Sequence, residues 1–318
     1  MTTYVIRRLL TLVPVVFVSS MIVFFMLRLF APISIIEQTL ADSPGAADPV
    51  VRERLKEEFG LHRPMVEQYV LWLWGAVRGD LGTSWATGKP VFQSVMEALP
   101  VSIEITLITT VLAVLIAIPL GVVSAVRQNT WMDYVSRFTA VAGLSVPNFV
   151  VATVLLLVPA MTLGWAPPVQ YVPPWQDLGR HLTQMFLPIL SLSVTLAAVN
   201  VRIIRSTLLE VIRNDFVRTA RAKGLAERPV ILGHALRNAL IPAVTVLGTQ
   251  LSVTLGGTVV IEQIYSLPGV GQLTLSAIQR GDFPQLQANI LYLLVLYLLV
   301  NLLVDVSYGW IDPRIRFG

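Results

Sequence analysis

The chain has 318 residues, 55% of them hydrophobic and 13% charged, with a mean hydropathy of +0.71; a soluble domain carries roughly 25% charged residues. This composition excludes an ordinary soluble globule and predicts a polytopic membrane protein. The net charge is +4, but the basic residues sit in short loops between apolar runs, the pattern of membrane topology rather than of nucleic-acid binding.

Arg7 and Arg8 precede an apolar run, Leu9–Leu27. That run is too long for a signal core and no small-residue cleavage pattern follows, so it reads as a first transmembrane helix. A hydrocarbon core about 30 Å thick takes about 20 apolar residues in helix. Five more candidates follow: Ser102–Val126, Phe138–Leu163, Met185–Ile204, Leu240–Val260 and Gln287–Tyr308. Met185–Ile204 is the least regular, because Asn200 and Arg202 lie near its end; a re-entrant or surface segment is its alternative. The expected fold is all-α, with six transmembrane helices. Residues 1–30 form the N-terminal transmembrane helix and 31–100 a helical outer segment. Residues 101–310 form a five-helix core with a loop at 205–238, and 311–318 a tail.

Alternating from an inner N-terminus puts 14 of the 23 Lys and Arg inside and 9 outside. Most of the outer ones lie in the long segment, where charge weighs less. Both termini are therefore expected on the cytoplasmic side.

In the outer segment, Asp48 reads as an N-cap, Pro49 as the first helical position and Gly60 as a stop. A second short helix restarts at Pro64, with Met65, Tyr69, Trp72 and Leu73 on one face. Its tryptophans read either as interfacial anchors or as substrate contacts. The Gly-rich stretch "GDLGTSWATGKPV" superficially resembles a phosphate loop. The Gly82-to-Gly88 spacing is wrong for one, and Pro90 stands where Ser or Thr is required after Lys89, so nucleotide binding is rejected.

The chain has no cysteine, so it offers no disulfide or thiolate ligand. His62, His181 and His234 are too scattered for a two-His helical metal motif. No catalytic, cofactor or metal residue is expected. Glu104, Glu262 and Asp305 fall near span ends, where snorkelling or interfacial pairing is expected. Among the deeper polar residues, Ser145, Asn148 and Gln250 are candidates for a translocation pathway. Asn148 adjoins Pro147, and a proline break frees backbone groups that must face a cavity or protein.

Between the fourth and fifth candidates lies "RNDFVRTARAKGLAERPVILGHALRNALIP", from Arg213 to Pro242. Asn214 or Asp215 can cap a helix, Lys223 suits its C-terminal dipole and Gly224 is a natural left-handed stop. The result is a helix of about eight residues, or about 12 Å, marginal alone and dependent on tertiary contacts. A second helix starts at Pro229, with a bend expected near Pro242. Phe216, Ala220 and Lys223 are expected on one face, and Arg218, Arg221 and Leu225 on another. One aromatic knob with a basic rim suits a groove on a cytoplasmic partner; a topogenic, solvated loop is the alternative. A self-contained channel or secondary transporter would need ionisable residues near mid-membrane or paired broken helices. The spans offer few.

The loop is similar to the motif E-A-A-x-x-x-G, followed by I-x-L-P, of the membrane subunits of ABC importers. Aligned on Gly224, it departs at Arg218, Thr219, His234 and Arg237. "RTARAKGL" with "HALRNALIP" resembles the variant found in the dipeptide/oligopeptide/nickel permease family. So do "YVIRRLLTLVPVVF", "GDLGTS", "GLSVPNF", "YSLPGVGQL" and "DPRIRF", across nearly the whole chain. The resemblance implies a type I ABC importer permease fold in the bacterial inner membrane, importing dipeptides or oligopeptides. It implies as partners a second homologous permease in a heterodimer, two ABC ATPase subunits that bind the ATP, an extracytoplasmic solute-binding protein and membrane lipid. It assigns ATPase coupling to Asp215, Phe216, Arg218, Thr219, Ala220, Arg221, Lys223, Gly224 and Leu225.

Overall fold

The computed structural model describes residues 2–30, 57 and 62–311. Among them the chain is helical, its one β feature an isolated bridge between Thr83 and Pro90. The helices are α1 (Thr2–Phe30), α2 (Met65–Val77), α3 (Val91–Val126), α4 (Trp131–Ser145), α5 (Asn148–Leu163), α6 (Leu178–Val211), α7 (Asp215–Ala222), α8 (Glu227–Gly257), α9 (Val259–Ile264), α10 (Val270–Gln279) and α11 (Phe283–Ile311). The helix expected between Pro49 and Gly60, the tail 312–318 and the side chain of Asp305 lie outside the described residues.

Among the described residues, five helices are long and apolar enough to cross a membrane: Ile6–Leu29, Val91–Val126, Leu178–Val211, Glu227–Gly257 and Phe283–Val304. The third expected span, Phe138–Leu163, is not one helix. It consists of α4 and α5, bent by 100°. Pro147 lacks an N–H and pushes the residue before it out of helical conformation, and Val146 is accordingly extended, at φ −97° and ψ 122°. Met185–Ile204 belongs to a continuous 34-residue helix rather than a re-entrant segment. α8 runs through Pro242 without a break; its irregularity is earlier, a π-helical stretch at Val230–Ala235.

The chain divides into two compact units, residues 1–101 with 268–299 and residues 102–267 with 300–316. In the first unit, α1 meets α2 through aromatic rings. Phe24, 1% exposed, packs 5.3 Å from Tyr69 and 6.0 Å from Trp72. The Tyr69 hydroxyl lies 2.9 Å from Ser20 Oγ. The Gly-rich loop is organised by Asp282, which is buried. Its carboxylate accepts bonds from the Ser84 hydroxyl and from the backbone N–H groups of Trp85 and Ala86.

The second unit is built around α6, with α4, α5 and α8 packed on it. Its core uses small residues: Ala113 and Ala117 from α3, Ala140 from α4, Ala197 from α6 and Ala243 from α8. Small side chains let helix backbones approach closely. A Cβ added at Gly143 would sit 2.9 Å from that of Ala198, and one at Gly121 2.9 Å from Ile204 Cβ.

At the start of α6, two buried side chains hold the Pro-rich loop that precedes it. Gln184 Nε2 donates to Pro168 O (2.9 Å), and its Oε1 accepts from Val172 N (3.3 Å). His181 Nδ1 lies 2.9 Å from Val172 O and must donate to it, since a carbonyl only accepts; its Nε2 lies 2.6 Å from Glu104 Oε1. Burial, then the charge of Glu104, pushes the Tyr171 phenol above its ordinary pKa. Of the two expectations for Glu262, snorkelling is excluded: the side chain is fully buried, and Ser102 Oγ donates to it at 2.7 Å. Helix packing, not distance from a span end, decides the exposure of that carboxylate.

Candidate functional site

The segment joining α6 to α8 folds as its local chemistry dictates. α6 ends at Val211, and Asn214 precedes α7 in extended conformation, at φ −72° and ψ 151°. Asn214 holds the N-cap position, but its side chain makes no capping bond. α7 is eight residues long, as expected. Arg221 lies in its last turn, Lys223 follows it and Gly224 turns the chain at φ +79°. That left-handed conformation favours a residue without Cβ.

A helix this short needs anchors. Val217 (0% exposed) and Ala220 (8%) supply them. They enter a core made by Ala125 of α3, Leu208 of α6 and Val230, Ile231, Ala235 and Ala239 of α8. The expected face of Phe216, Ala220 and Lys223 is thereby corrected. Ala220 points inward with Val217, while Phe216 is on the flank, 44% exposed. Asp215, Arg218, Thr219, Arg221, Lys223, Gly224 and Leu225 are all exposed. Val217 was missed because a lone valine among charges carries little periodicity; its signal was the i, i+3 pairing with Ala220.

Polar bonds fix the loop's ends. Arg221 forks onto Glu227 at the start of α8, with Nη2 2.6 Å from Oε1 and Nε 3.1 Å from Oε2. This pair raises the pKa of Arg221, chiefly through the hydrogen bond. Arg218 and Asp215, 3.6 Å apart, are both highly exposed, a pairing of small energetic weight. Deeper in, Thr207 Oγ1 of α6 donates to Ala239 O of α8 at 2.8 Å. Arg205 of α6 grips the fully buried Asp133 of α4, whose carboxylate also accepts from Ser124 Oγ at 2.6 Å and Asn129 N at 3.0 Å. Every helix around α7 is thus tied to its neighbour.

Of the expected pathway residues, Ser145 and Asn148 flank the break between α4 and α5, and Gln250 lies on α8. Ser145 is exposed and donates to Val141 O of its own helix. Asn148, half-buried, opens α5 directly after Pro147. Gln250, half-buried on α8, accepts at 2.7 Å from Nδ2 of the fully buried Asn200 on α6. Neither hydrogen bond runs to another of the three. Sequence reasoning singled out Gln250 but not its partner, which is 50 residues away.

The surface that results is a short helix held by two apolar side chains, with its charged and aromatic residues turned outward. Those outward-turned residues are the ones the sequence singled out as a contact surface. Comparisons with known proteins bear on the family of the chain. The family described as "Binding-protein-dependent transport system inner membrane component" matches residues 117–317, and its N-terminal counterpart matches residues 1–106. A putative peptide transport system permease protein of Brucella abortus is 36% identical over 317 residues, covering 100% of both chains. The dipeptide transport system permease protein DppB of Alkalihalophilus pseudofirmus is 36% identical over 341 residues, and the glutathione transport system permease protein GsiC of Escherichia coli 36% over 319 residues, both with 100% coverage of each chain. Among solved structures, the inward-facing MetNI methionine ABC transporter matches with a TM-score of 0.56 at 16% identity, over 69% of this chain and 97% of that one. An amino acid ABC transporter crystallised with histidines matches at 0.52 and 14% identity, over 70% and 94%. These likenesses show the permease fold.

Proposed function

This chain belongs to the family of inner membrane components of binding-protein-dependent transport systems, and on that membership we propose that it forms half of the translocation pathway of an ATP-driven importer of dipeptides and longer peptides. The peptide class is supported by relatives named for peptide, dipeptide and glutathione transport. A self-contained channel or secondary transporter finds no support in those full-length relatives.

In this reading the other half is a second, homologous permease. Two cytoplasmic ATPases bind and hydrolyse ATP, and a binding protein delivers solute from outside. Both termini and the α7 loop lie on the cytoplasmic side. Docking of the loaded binding protein and ATP-driven closure of the ATPases bring the coupling helices together and open the pathway outward; hydrolysis resets it. This chain binds no nucleotide. It receives force at α7 and passes it to α6, α8 and α3, on which Val217 and Ala220 are seated. That seating is the observation that carries the coupling reading: a merely topogenic loop has no need of two buried anchors.

The test is to purify the tagged chain gently from its native cells and identify what accompanies it. Recovery of ATPases, a second permease and peptide-stimulated ATP hydrolysis upholds the reading. A chain that emerges alone and conducts solutes in liposomes without ATP sinks it.

A further inference from the structure

α8 carries one irregular turn, at Val230–Ala235, where the backbone is π-helical. The Leu236 N–H donates to Ile231 O, five residues back rather than four. Such turns are rare, occur mostly singly inside α-helices and are frequent at functional sites. Burial along the helix tells what the extra residue does. Val230, Ala235, Ala239 and Ala243 are fully buried, at successive spacings of five, four and four. In an α-helix a four-residue step turns the face by about 40° and a five-residue step by about 140°. A straight α-helix that kept the three alanines packed would therefore swing Val230 out of the core it shares with Val217 and Ala220. On the open side of the turn Leu232, Gly233 and His234 are all exposed.

The turn lies between two clamps. Before it, Arg221 forks onto Glu227 and ties α7 to the start of α8. After it, Thr207 Oγ1 holds Ala239 O to α6. The Asn238 side chain donates to His234 O at 2.9 Å, so that carbonyl keeps a partner while backbone pairing changes around it.

We propose that this turn is the joint of the coupling device. α7 and residues 227–231 move as one body, and the Leu236 N–H exchanges Ile231 O for Leu232 O as that body turns against the membrane-spanning part of α8. A uniform α-helix passes every rotation of α7 into the alanine seam; a turn with two pairings absorbs it within a few residues, as hinges do, and leaves Ala235, Ala239 and Ala243 in register. The inference rests on the coupling role of α7.

The test uses the assembled transporter in proteoliposomes. Deletion of Gly233, where an added Cβ meets nothing within 4 Å, brings Val230 and Ala235 four residues apart and makes the helix uniform with its buried face in phase. The variant is expected to melt no earlier than the parent and to retain the ATPases, while uptake falls about tenfold and ATP hydrolysis continues. In the unaltered protein, hydrogen exchange over residues 232–238 is expected to differ about tenfold between the nucleotide-free and vanadate-trapped states, with the amides beyond Ala239 unchanged. Parental uptake in the deletion variant overturns the proposal. So does equal exchange in the two states, whether or not the variant folds. Phe216→Asp separates this failure from that of the coupling role: if it stops uptake and the deletion does not, only the joint is wrong; if neither affects uptake, α7 is not the coupling element.

Discussion

Arg205 forks onto Asp133, with Nε 2.8 Å from Oδ1 and Nη2 2.9 Å from Oδ2. The carboxylate is fully buried and the guanidinium largely so. Removing one member of such a pair leaves the other without its counter-charge, at a cost of about 3–5 kcal/mol. Asp133→Ala is therefore expected to lower the melting temperature of the detergent-solubilised protein markedly. Asp133→Asn keeps the shape and loses less. An unchanged melting curve for Asp133→Ala refutes the assignment.

Phe216→Asp changes the flank of α7 and none of its anchors. Uptake is expected to fall several-fold while the ATPases keep turning over, and the melting temperature stays within what about 0.5 kcal/mol produces. Uptake and ATP hydrolysis measured on the same proteoliposomes decide it; normal uptake removes Phe216 from the coupling surface.

Val217→Asp is the contrasting substitution, one residue along. It puts a carboxylate into the core with Leu208 and Ala239, a penalty of several kcal/mol. Poor folding yield or early melting is expected, together with loss of uptake. A stable, well-expressed Val217→Asp protein shows that α7 is not seated as described.

Gly224→Ala places a Cβ in a left-handed turn, at φ +79°, with open space around it. The cost is conformational, about 1 kcal/mol, and shows as a small downward shift in melting temperature.

Gly121→Leu acts through volume. Even a Cβ there meets Ile204 at under 3 Å, so α3 and α6 must separate. Overpacking of this kind costs about 1–3 kcal/mol. The companion Ile204→Ala is expected to recover part of the loss.

The eight-residue length of α7 and its stop at Gly224 were legible because helix starts and left-handed turns follow local residue preferences, although the Asn214 side chain makes no capping bond. Its orientation was not, because the face a short helix buries is chosen by what packs on it. A proline break at Pro147 was legible, but not its 100° angle, because hydropathy averages across the apolar run Phe138–Leu163. Asp133 and Arg205 are 72 residues apart, and Asn200 and Gln250 are 50 apart; no periodicity reports such pairs. The burial of Glu262 was not legible, because sequence gives a residue's place along a helix, not the neighbour that encloses it.

α6 is a single helix of 34 residues with Pro188 inside it, about 51 Å long. Near one end His181 and Gln184 grip the Pro-rich loop; near the other Arg205 grips Asp133 and the chain passes into α7. A helix that tilts about its middle as one body is a seesaw. A tilt of about 10° displaces each end by about 4 Å, in opposite directions, for a helix of this length. Helix length thus sets the distance over which such a tilt would carry motion from one loop to the other.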